Sequence, residues 1–227
     1  MDPQVRTSRY LQTNVTVFGD LVVDSPYFPD ELDELRRITG GDVRLFATHS
    51  HYDHLMARLA FPDAPLLAGP TTVAAVRREP ERPQRELDEE DARTYVRRDV
   101  ALRVADIAEA DGLELLEADG HTGDGHALLH HGVLCRGDFL SDVEIPLLSW
   151  AGSLPAYRAT LDRLEAVLRE ERPRLVVPGH GSPTDAGDAL RRLDEDRRYL
   201  EDLKTVPASR DTPRQREIHR ANLLRHA

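Results

Sequence analysis

The residue types best suited to metal binding are concentrated in one short stretch, where residues 49–54 contain three histidines and one aspartate. His49 and His51 are two positions apart, so in an extended segment both imidazoles point to one side and can hold one metal ion. Asp53 and His54 follow where the chain begins to turn, so they are directed to a second point at which another cation could bind. A polar loop with solvated histidines is the alternative, but this spacing directly after a predicted strand favours two adjacent metal sites.

The segments around this stretch predict how it is held. The apolar run 43–47 predicts a buried strand and residues 54–60 predict a helix, so the ligands lie on a strand-to-helix loop. Upstream, residues 14–24 predict a β-hairpin, which is followed by a helix that begins at Pro29 and stops at Gly40. This order is a β-α-β unit, whose parallel strands place their carboxyl ends, and hence their loops, along one rim.

A second such unit is predicted directly downstream. It has a strand at 65–68 and a helix that begins at Gly69-Pro70. Residues 77–94 carry many charges of both signs, which indicates a solvated helix or an exposed loop rather than an interaction tail. Further strands are predicted at 100–104 and 113–118.

The next residues that could do chemistry are His121 and Asp138. Two apolar runs lie between them, separated by a tight turn at 131–132, which predicts a hairpin. The open end of this hairpin would bring one imidazole and one carboxylate together, as a first-site ligand and a metal-bridging ligand require. His126 begins a strand close to this end, and we expect it to pack there rather than to bind metal.

The last candidate ligand is His180, which follows a short apolar strand predicted at 174–178 and lies between two glycines. The glycines let the backbone bend and leave space around the imidazole, which favours a ligand over a buried core histidine. Ahead of it lie a helix predicted at 157–171 and a loop at 139–155 without periodicity. That loop includes Trp150 and could roof a pocket.

The chain shows no internal repeat and no clear domain boundary, and its 227 residues can bury a sizeable core. We therefore expect one domain over residues 1–227, with a C-terminal helical extension at about 186–227. Leucines at helical spacing predict a helix at 186–204, and a capping box at Thr212 followed by Pro213 predicts a final helix. This final helix could mediate formation of a homodimer or close over the pocket.

Composition narrows the partners and the compartment. The formal net charge of −11 and the lack of a basic run with aromatics argue against nucleic acid, although bound cations would still permit an anionic small substrate. No apolar run approaches the ~20 residues that cross a bilayer, and no signal-peptide pattern begins the chain, so we expect a cytoplasmic protein without membrane association. Cys135, the only cysteine, lies in an apolar run and is expected to be a small core residue.

Taken together, these motifs resemble those of the metallo-β-lactamase fold superfamily of metallohydrolases. The motifs, in the family's order and approximate spacing, are His49-x-His51-x-Asp53-His54, Gly120-His121-Thr122, Gly137-Asp138 and Pro178-Gly179-His180-Gly181. The resemblance implies an α/β architecture, an αββα sandwich with the metals at the rim between two sheets. It also implies ligand roles: His49, His51 and His121 at the first metal, Asp53, His54 and His180 at the second, and Asp138 bridging.

This ligand set is similar to that of the dinuclear branch with the hydroxyacylglutathione hydrolases and lactonases, and differs from antibiotic-degrading enzymes that place Cys at the second site. Three departures bear on the substrate. Gly123-Asp124-Gly125 stands where the family often has Pro-Gly-Ser, Tyr52 fills a position that is usually small, and no clear glutathione-binding basic pair is present.

The implied activity is hydrolysis of a thioester, ester or lactone carbonyl in a small-molecule substrate. Two divalent ions, zinc foremost with iron or manganese tolerated, would share a hydroxide that attacks the carbonyl. Asp53 would orient this hydroxide and move its proton, which makes it the expected catalytic residue. The alternatives are a mononuclear iron dioxygenase acting on glutathione persulfide, with a His-His-Asp subset of the ligands, and a non-catalytic metal-binding or ligand-sensing protein of the same fold.

Overall fold

A computed structural model describes residues 2–149 and 151–226, so Trp150 in the predicted pocket loop lies outside the described residues. Contacts between residues divide the chain into two units, Met1–Gly112 and Leu113–Ala227. Each unit has its own sheet, helices and apolar core. The single domain expected from the sequence stays a prediction.

A six-stranded sheet organises the first unit, with its strands in sequence order. The strands are β1 (Gln4–Thr7), β2 (Asn14–Phe18), β3 (Leu21–Asp24), β4 (Arg44–Ala47), β5 (Leu66–Ala68) and β6 (Ala108–Glu109). The first three pair antiparallel, and β3 to β6 pair parallel. The structure thus confirms the hairpin of β2 and β3 and the parallel unit around β4. The carboxyl ends of β3 and β4 lie side by side, which positions the residues that follow them.

Five helices accompany this sheet among the described residues. They are α1 (Pro29–Thr39), α2 (Tyr52–Leu55), α3 (Ala57–Ala60), α4 (Pro70–Arg78) and α5 (Arg82–Thr94). The predicted bounds of α1 are confirmed, since Gly40 ends it in the left-handed conformation with φ 78°. The single helix predicted at 54–60 is wrong: the chain turns helical at Tyr52, two residues earlier, and Met56 separates two short helices.

The strand predicted at 100–104 is also wrong. The alternating residues Leu102 and Val104 are buried in the core of the first unit, as the pattern suggested. However, the Leu102 amide donates to Gln84 Oε1 at 2.6 Å, so a side chain of α5 takes the place of a neighbouring strand. The sixth strand is the short β6 further along the chain.

The second unit has a four-stranded sheet in the order β10-β9-β8-β7. Its elements are β7 (Glu114–Glu117), β8 (His126–His130), β9 (Val133–Cys135), α6 (Leu154–Glu170), β10 (Leu175–Val177), α7 (Ala186–Asp202), a 3₁₀ turn at Ala208–Arg210 and α8 (Pro213–His226). The predicted hairpin of β8 and β9 is confirmed, and β10 runs parallel to β9. Cys135 is buried in this sheet, in agreement with a core role. None of the helices within the described residues combines the length and apolar character needed to cross a membrane.

Candidate functional site

In the first unit, the four predicted ligands lie between the end of β4 and the end of α2. His49, Asp53 and His54 are buried, and His51 is half-buried. His51 has an extended backbone (φ −68°, ψ 145°), and its Nδ1 lies 3.0 Å from His49 Nε2, so the two imidazoles meet as the spacing predicted. His54 Nε2 lies 3.8 Å from Asp53 Oδ2. The rings of His49 and His54 also meet, with 4.1 Å between centroids, so the four side chains form one cluster, and their roles as ligands stay predictions.

Asp24, the last residue of β3, supports this loop and was missed by the sequence analysis. Its buried carboxylate accepts from the Thr48 amide at 2.8 Å and from the Thr48 hydroxyl at 3.0 Å. Its Oδ2 also lies 3.1 Å from His54 Nδ1. A carboxylate on one ring nitrogen fixes the orientation of an imidazole and leaves the other nitrogen for a metal. A signal was present in the sequence, because an aspartate ends the apolar strand that neighbours the ligand strand.

A second support comes from α5. Arg82 donates from Nη2 to the Ser50 hydroxyl at 2.6 Å, and Ser50 stands between the first two histidines. Glu86, one turn along, accepts from the backbone amide of Tyr52, the first residue of α2. Burial raises the pKa of Glu86 to about 7, although nearby Arg82 opposes this shift. The charged run that sequence analysis assigned to solvent therefore has a buried face that contacts the ligand loop.

Tyr52 is half-buried and packs against the core of the first unit, with its ring edge-on to Tyr27 at 6.5 Å between centroids. Burial raises the pKa of Tyr52 well above its ordinary value, and the carboxylate of Asp53 adds to this shift. The side chain therefore stays a neutral phenol. These contacts support a packing role for Tyr52.

In the second unit, strand register brings Asp138 and His180 together. Parallel strands β9 and β10 pair Cys135 with Val177, and each ligand follows its strand by three residues. Asp138 Oδ1 lies 3.3 Å from His180 Nε2, and Asp138 Oδ2 lies 3.1 Å from His121 Nε2. The open end of the hairpin thus carries His121 beside Asp138, as predicted. Each oxygen of one buried carboxylate faces a different imidazole.

His121 is held by backbone groups on both sides. Its Nδ1 lies 2.9 Å from the Leu147 carbonyl, and its own carbonyl accepts from the Ser149 amide at 2.9 Å. The preceding Gly120 has φ +107°, and a Cβ there would lie 2.2 Å from the backbone nitrogen of Tyr157. Only glycine allows this approach to the start of α6. The Gly-His pair of the motif is therefore explained by the packing of backbone against backbone.

Glu144 is a further acidic residue that the sequence analysis did not single out. Asp138, Glu144 and His180 each offer a ligand atom, and these atoms lie within 4.8 Å of one another. Glu144 Oε1 is also 3.8 Å from Arg214 Nη2 on α8. No sequence signal marked this residue, because it lies in the aperiodic segment after Asp138.

His126 is placed as the sequence predicted. His126 begins β8 and is buried, and burial lowers its pKa, in agreement with packing rather than ligation. His131 is exposed at the hairpin turn with φ 50°, whereas its neighbour His130 is half-buried. Asp124, the departure from the family motif, is also buried.

The donor chemistry of the second unit fits a cation. The Leu147 carbonyl can only accept, so the hydrogen bond to it requires a proton on Nδ1 of His121. In the neutral ring, Nε2 is then an acceptor that faces a carboxylate oxygen of Asp138 at 3.1 Å, and a proton or a metal ion between the two atoms would satisfy both. Imidazole nitrogen with carboxylate oxygen suits zinc, iron and manganese. These residues could therefore hold a divalent metal.

No family model and no curated protein matches this chain, whereas solved structures do. TTHA1623 in a di-iron-bound form aligns with a TM-score of 0.63 at 20% identity, over 85% of this chain and 98% of that one. TTHA1429 of Thermus thermophilus, a metallo-β-lactamase family protein, aligns with 0.60 at 18% identity, over 89% and 80%. ST1585 of Sulfolobus tokodaii, an archaeal metallo-β-lactamase superfamily protein, aligns with 0.54 at 16% identity, over 93% and 90%.

This chain has the metallo-β-lactamase fold. The predicted fold class, an α/β sandwich of that type, is confirmed. Because the identities lie at 20% or below, the likeness extends to the fold and not to the chemistry of any one of these proteins. The similarity of this chain to the hydroxyacylglutathione hydrolase branch stays a prediction.

Proposed function

We propose that this protein is a metal-dependent hydrolase that attacks the carbonyl of a thioester, ester or lactone in a small molecule. The observation that carries the proposal is the position of Asp138, whose two oxygens face His121 at 3.1 Å and His180 at 3.3 Å. A carboxylate with two such partners is suited to bridge two cations. The metallo-β-lactamase fold and the convergence of imidazoles and carboxylates in each unit add support.

The proposed ligand set rests on the sequence motifs. It is the set implied by the sequence resemblance, with two divalent ions: His49, His51 and His121 at the first, Asp53, His54 and His180 at the second, and Asp138 between them. Zinc is the first choice for the metal, and the di-iron form of TTHA1623 makes iron the leading alternative.

When bound, two such ions would supply a nucleophile at neutral pH and polarise the substrate carbonyl. The residues of the chain would do the rest. Asp53, buried and 3.8 Å from His54 Nε2, would orient the attacking water and accept its proton. Asp24 would hold His54 in place, and the Leu147 carbonyl would hold His121.

Elemental analysis of protein purified without chelator, followed by assays on thioester, ester and lactone panels, tests this proposal. We expect about two zinc or iron ions per chain and turnover that chelator abolishes and added metal restores. His51→Ala in the first unit and Asp138→Ala in the second should each lose both metal and activity. The control is His131→Asn, because this exposed histidine lies outside the ligand set and asparagine tolerates its positive φ of 50°.

Several results would contradict the hydrolase. A fully metallated and active Asp138→Ala protein would remove the bridging role. One iron per chain with oxygen consumption on glutathione persulfide would establish the dioxygenase alternative. Protein that binds no metal under any condition would rule out the hydrolase and favour the non-catalytic, ligand-sensing alternative.

A further inference from the structure

The C-terminal helix α8 buries polar side chains rather than an apolar stripe. Gln215 and Asn222 lie seven residues apart, two turns along one face, and are exposed by only 2% and 0%. Ile218 and Leu223 pack against the core of the second unit only in part. A buried amide needs hydrogen-bond partners, so these two side chains show what the helix contacts.

Most of those partners are backbone groups of the segment that follows Asp138, and Asn222 Nδ2 also donates to the Tyr199 hydroxyl at 2.9 Å. Gln215 Oε1 accepts from the Ile145 amide at 2.9 Å. Asn222 Oδ1 accepts from the Leu148 amide at 3.1 Å, and Asn222 Nδ2 donates to the Pro146 carbonyl at 2.7 Å. Asn222 therefore holds both residues that flank Leu147.

Leu147 is the residue whose carbonyl meets His121 Nδ1 at 2.9 Å. Pro146 and Leu148 lie on either side of it in the chain, so fixing both fixes the direction of the carbonyl between them. Arg225 adds a hydrogen bond from Nη1 to the Leu148 carbonyl at 2.7 Å. The side-chain amide of Asn222 is thus connected to the imidazole of His121 through the backbone around Leu147.

We propose that Asn222 is a positioning residue for His121: through Pro146 and Leu148 it holds the Leu147 carbonyl that keeps the Nε2 of His121 directed at Asp138. This inference rests on the proposed metal site for its effect on metal affinity. The partner of a metal-binding histidine selects its tautomer and ring orientation, and loss of such a partner typically weakens metal binding about 10- to 100-fold. The final helix thereby acts on the site without supplying a ligand.

Two variants of the full-length protein separate this role from simple stabilisation. Asn222→Leu keeps a side chain of similar volume but removes every hydrogen bond to the loop, together with the one to the Tyr199 hydroxyl. Leu223→Ala, at the next residue, removes apolar packing of the same helix and leaves those hydrogen bonds intact. Each is measured by competition between Zn²⁺ and a chelator, by amide exchange at Leu148, and by ¹⁵N NMR of the His121 ring in metal-free protein.

We expect Asn222→Leu to weaken Zn²⁺ binding about tenfold or more, to speed exchange at Leu148 and to lose the single Nδ1-protonated signature of His121. Leu223→Ala should keep the Zn²⁺ affinity, the exchange rate at Leu148 and the His121 ring signature at wild-type values. This should hold even if its unfolding midpoint falls as far as that of Asn222→Leu. Equal effects of the two variants, or an unchanged His121 ring in Asn222→Leu, would overturn the inference. If wild-type protein binds no Zn²⁺, the hydrolase proposal fails, while the NMR and exchange measurements still decide the role of Asn222.

Discussion

The two units assemble their candidate ligands in different ways. In the first unit, four ligands occupy residues 49–54 of one loop, and charged side chains support them: Asp24 holds Thr48 and His54, and Glu86 accepts from Tyr52. In the second unit, three ligands come from three distant segments, and backbone groups with neutral amides support them. The Leu147 carbonyl and Asn222 are the main examples.

This difference determines which interactions hold the candidate ligands of each unit in place. A contiguous loop can be pointed in several directions, so its geometry depends on side chains that hold it, and carboxylates are sensitive to pH and to metal charge. Dispersed ligands depend instead on strand register and on close approaches of the backbone. We therefore expect the second unit to be more vulnerable to changes in backbone shape, and the first to changes in charge.

The largest effect is expected from Gly120→Ala. A Cβ there would lie 2.2 Å from the Tyr157 nitrogen at φ +107°, and neither backbone can move away without displacing α6. Strain and overpacking together should destabilise the protein by about 3 to 5 kcal/mol, measured by chemical denaturation. Gly41→Ala is the matched control, because it has φ +101° with nothing within 4 Å of the new Cβ. It should lose only about 1 to 2 kcal/mol.

Equal losses in the two glycine variants would show that the close approach at Gly120 carries no energy beyond backbone strain. The importance of backbone packing in the second unit would then be disproved. The comparison uses one chemical change at two positions of similar φ, so the contact with Tyr157 is the difference between them.

Much of this fold could be predicted from the sequence because local patterns determine it. The β2–β3 hairpin, α1 and the β8–β9 hairpin follow from alternation, helical spacing and turn residues. The strand predicted at 100–104 failed because a side chain, Gln84, satisfied a backbone amide that alternation assigned to a neighbouring strand. Pattern reasoning cannot anticipate a partner that lies 18 residues away and on a helix.

The candidate ligands could likewise be proposed from the sequence, whereas most of their supports could not. Histidines and aspartates at strand ends are visible as types and spacings. Asp24 left a signal at the end of its strand, but Glu86 and Asn222 act through tertiary contacts, and the polar buried face of α8 resembles a solvated helix in a hydrophobic pattern. Support by a carbonyl, as at Leu147, leaves no trace in residue type at all.

The next largest effect is expected from Asp24→Asn in the first unit. The amide can accept from Thr48 but is neutral toward His54, so the imidazole loses its charged partner. We expect metal affinity to fall about 10- to 100-fold, roughly 1.4 to 2.7 kcal/mol, in a chelator competition. The control Asp20→Asn removes a carboxylate from the turn of the same hairpin, where its partner is the exposed Arg44, and should change affinity little. Unchanged affinity in Asp24→Asn would mean that the first unit does not rely on this charge.

The smallest effect is expected in the pH dependence of stability, through Glu86, which accepts from the first residue of α2. Burial raises the pKa of Glu86 from 4.5 to about 7, so between these values the folded protein binds a proton that the unfolded chain has released. The contribution of Glu86 to the free energy of unfolding should therefore fall as pH rises from about 4.5 to 7 and level off above that range. Since the side chain is 25% exposed, we expect a fall of about 1 to 2 kcal/mol, less than the full shift would give. Glu86→Gln keeps an acceptor for the Tyr52 amide. In metal-free protein it should remove this fall in the free energy of unfolding, whereas Glu89→Gln, exposed on the same helix, should not. If wild type and Glu86→Gln show the same pH dependence over this range, the carboxylate of Glu86 is charged throughout and gives no pH-dependent support to the first unit.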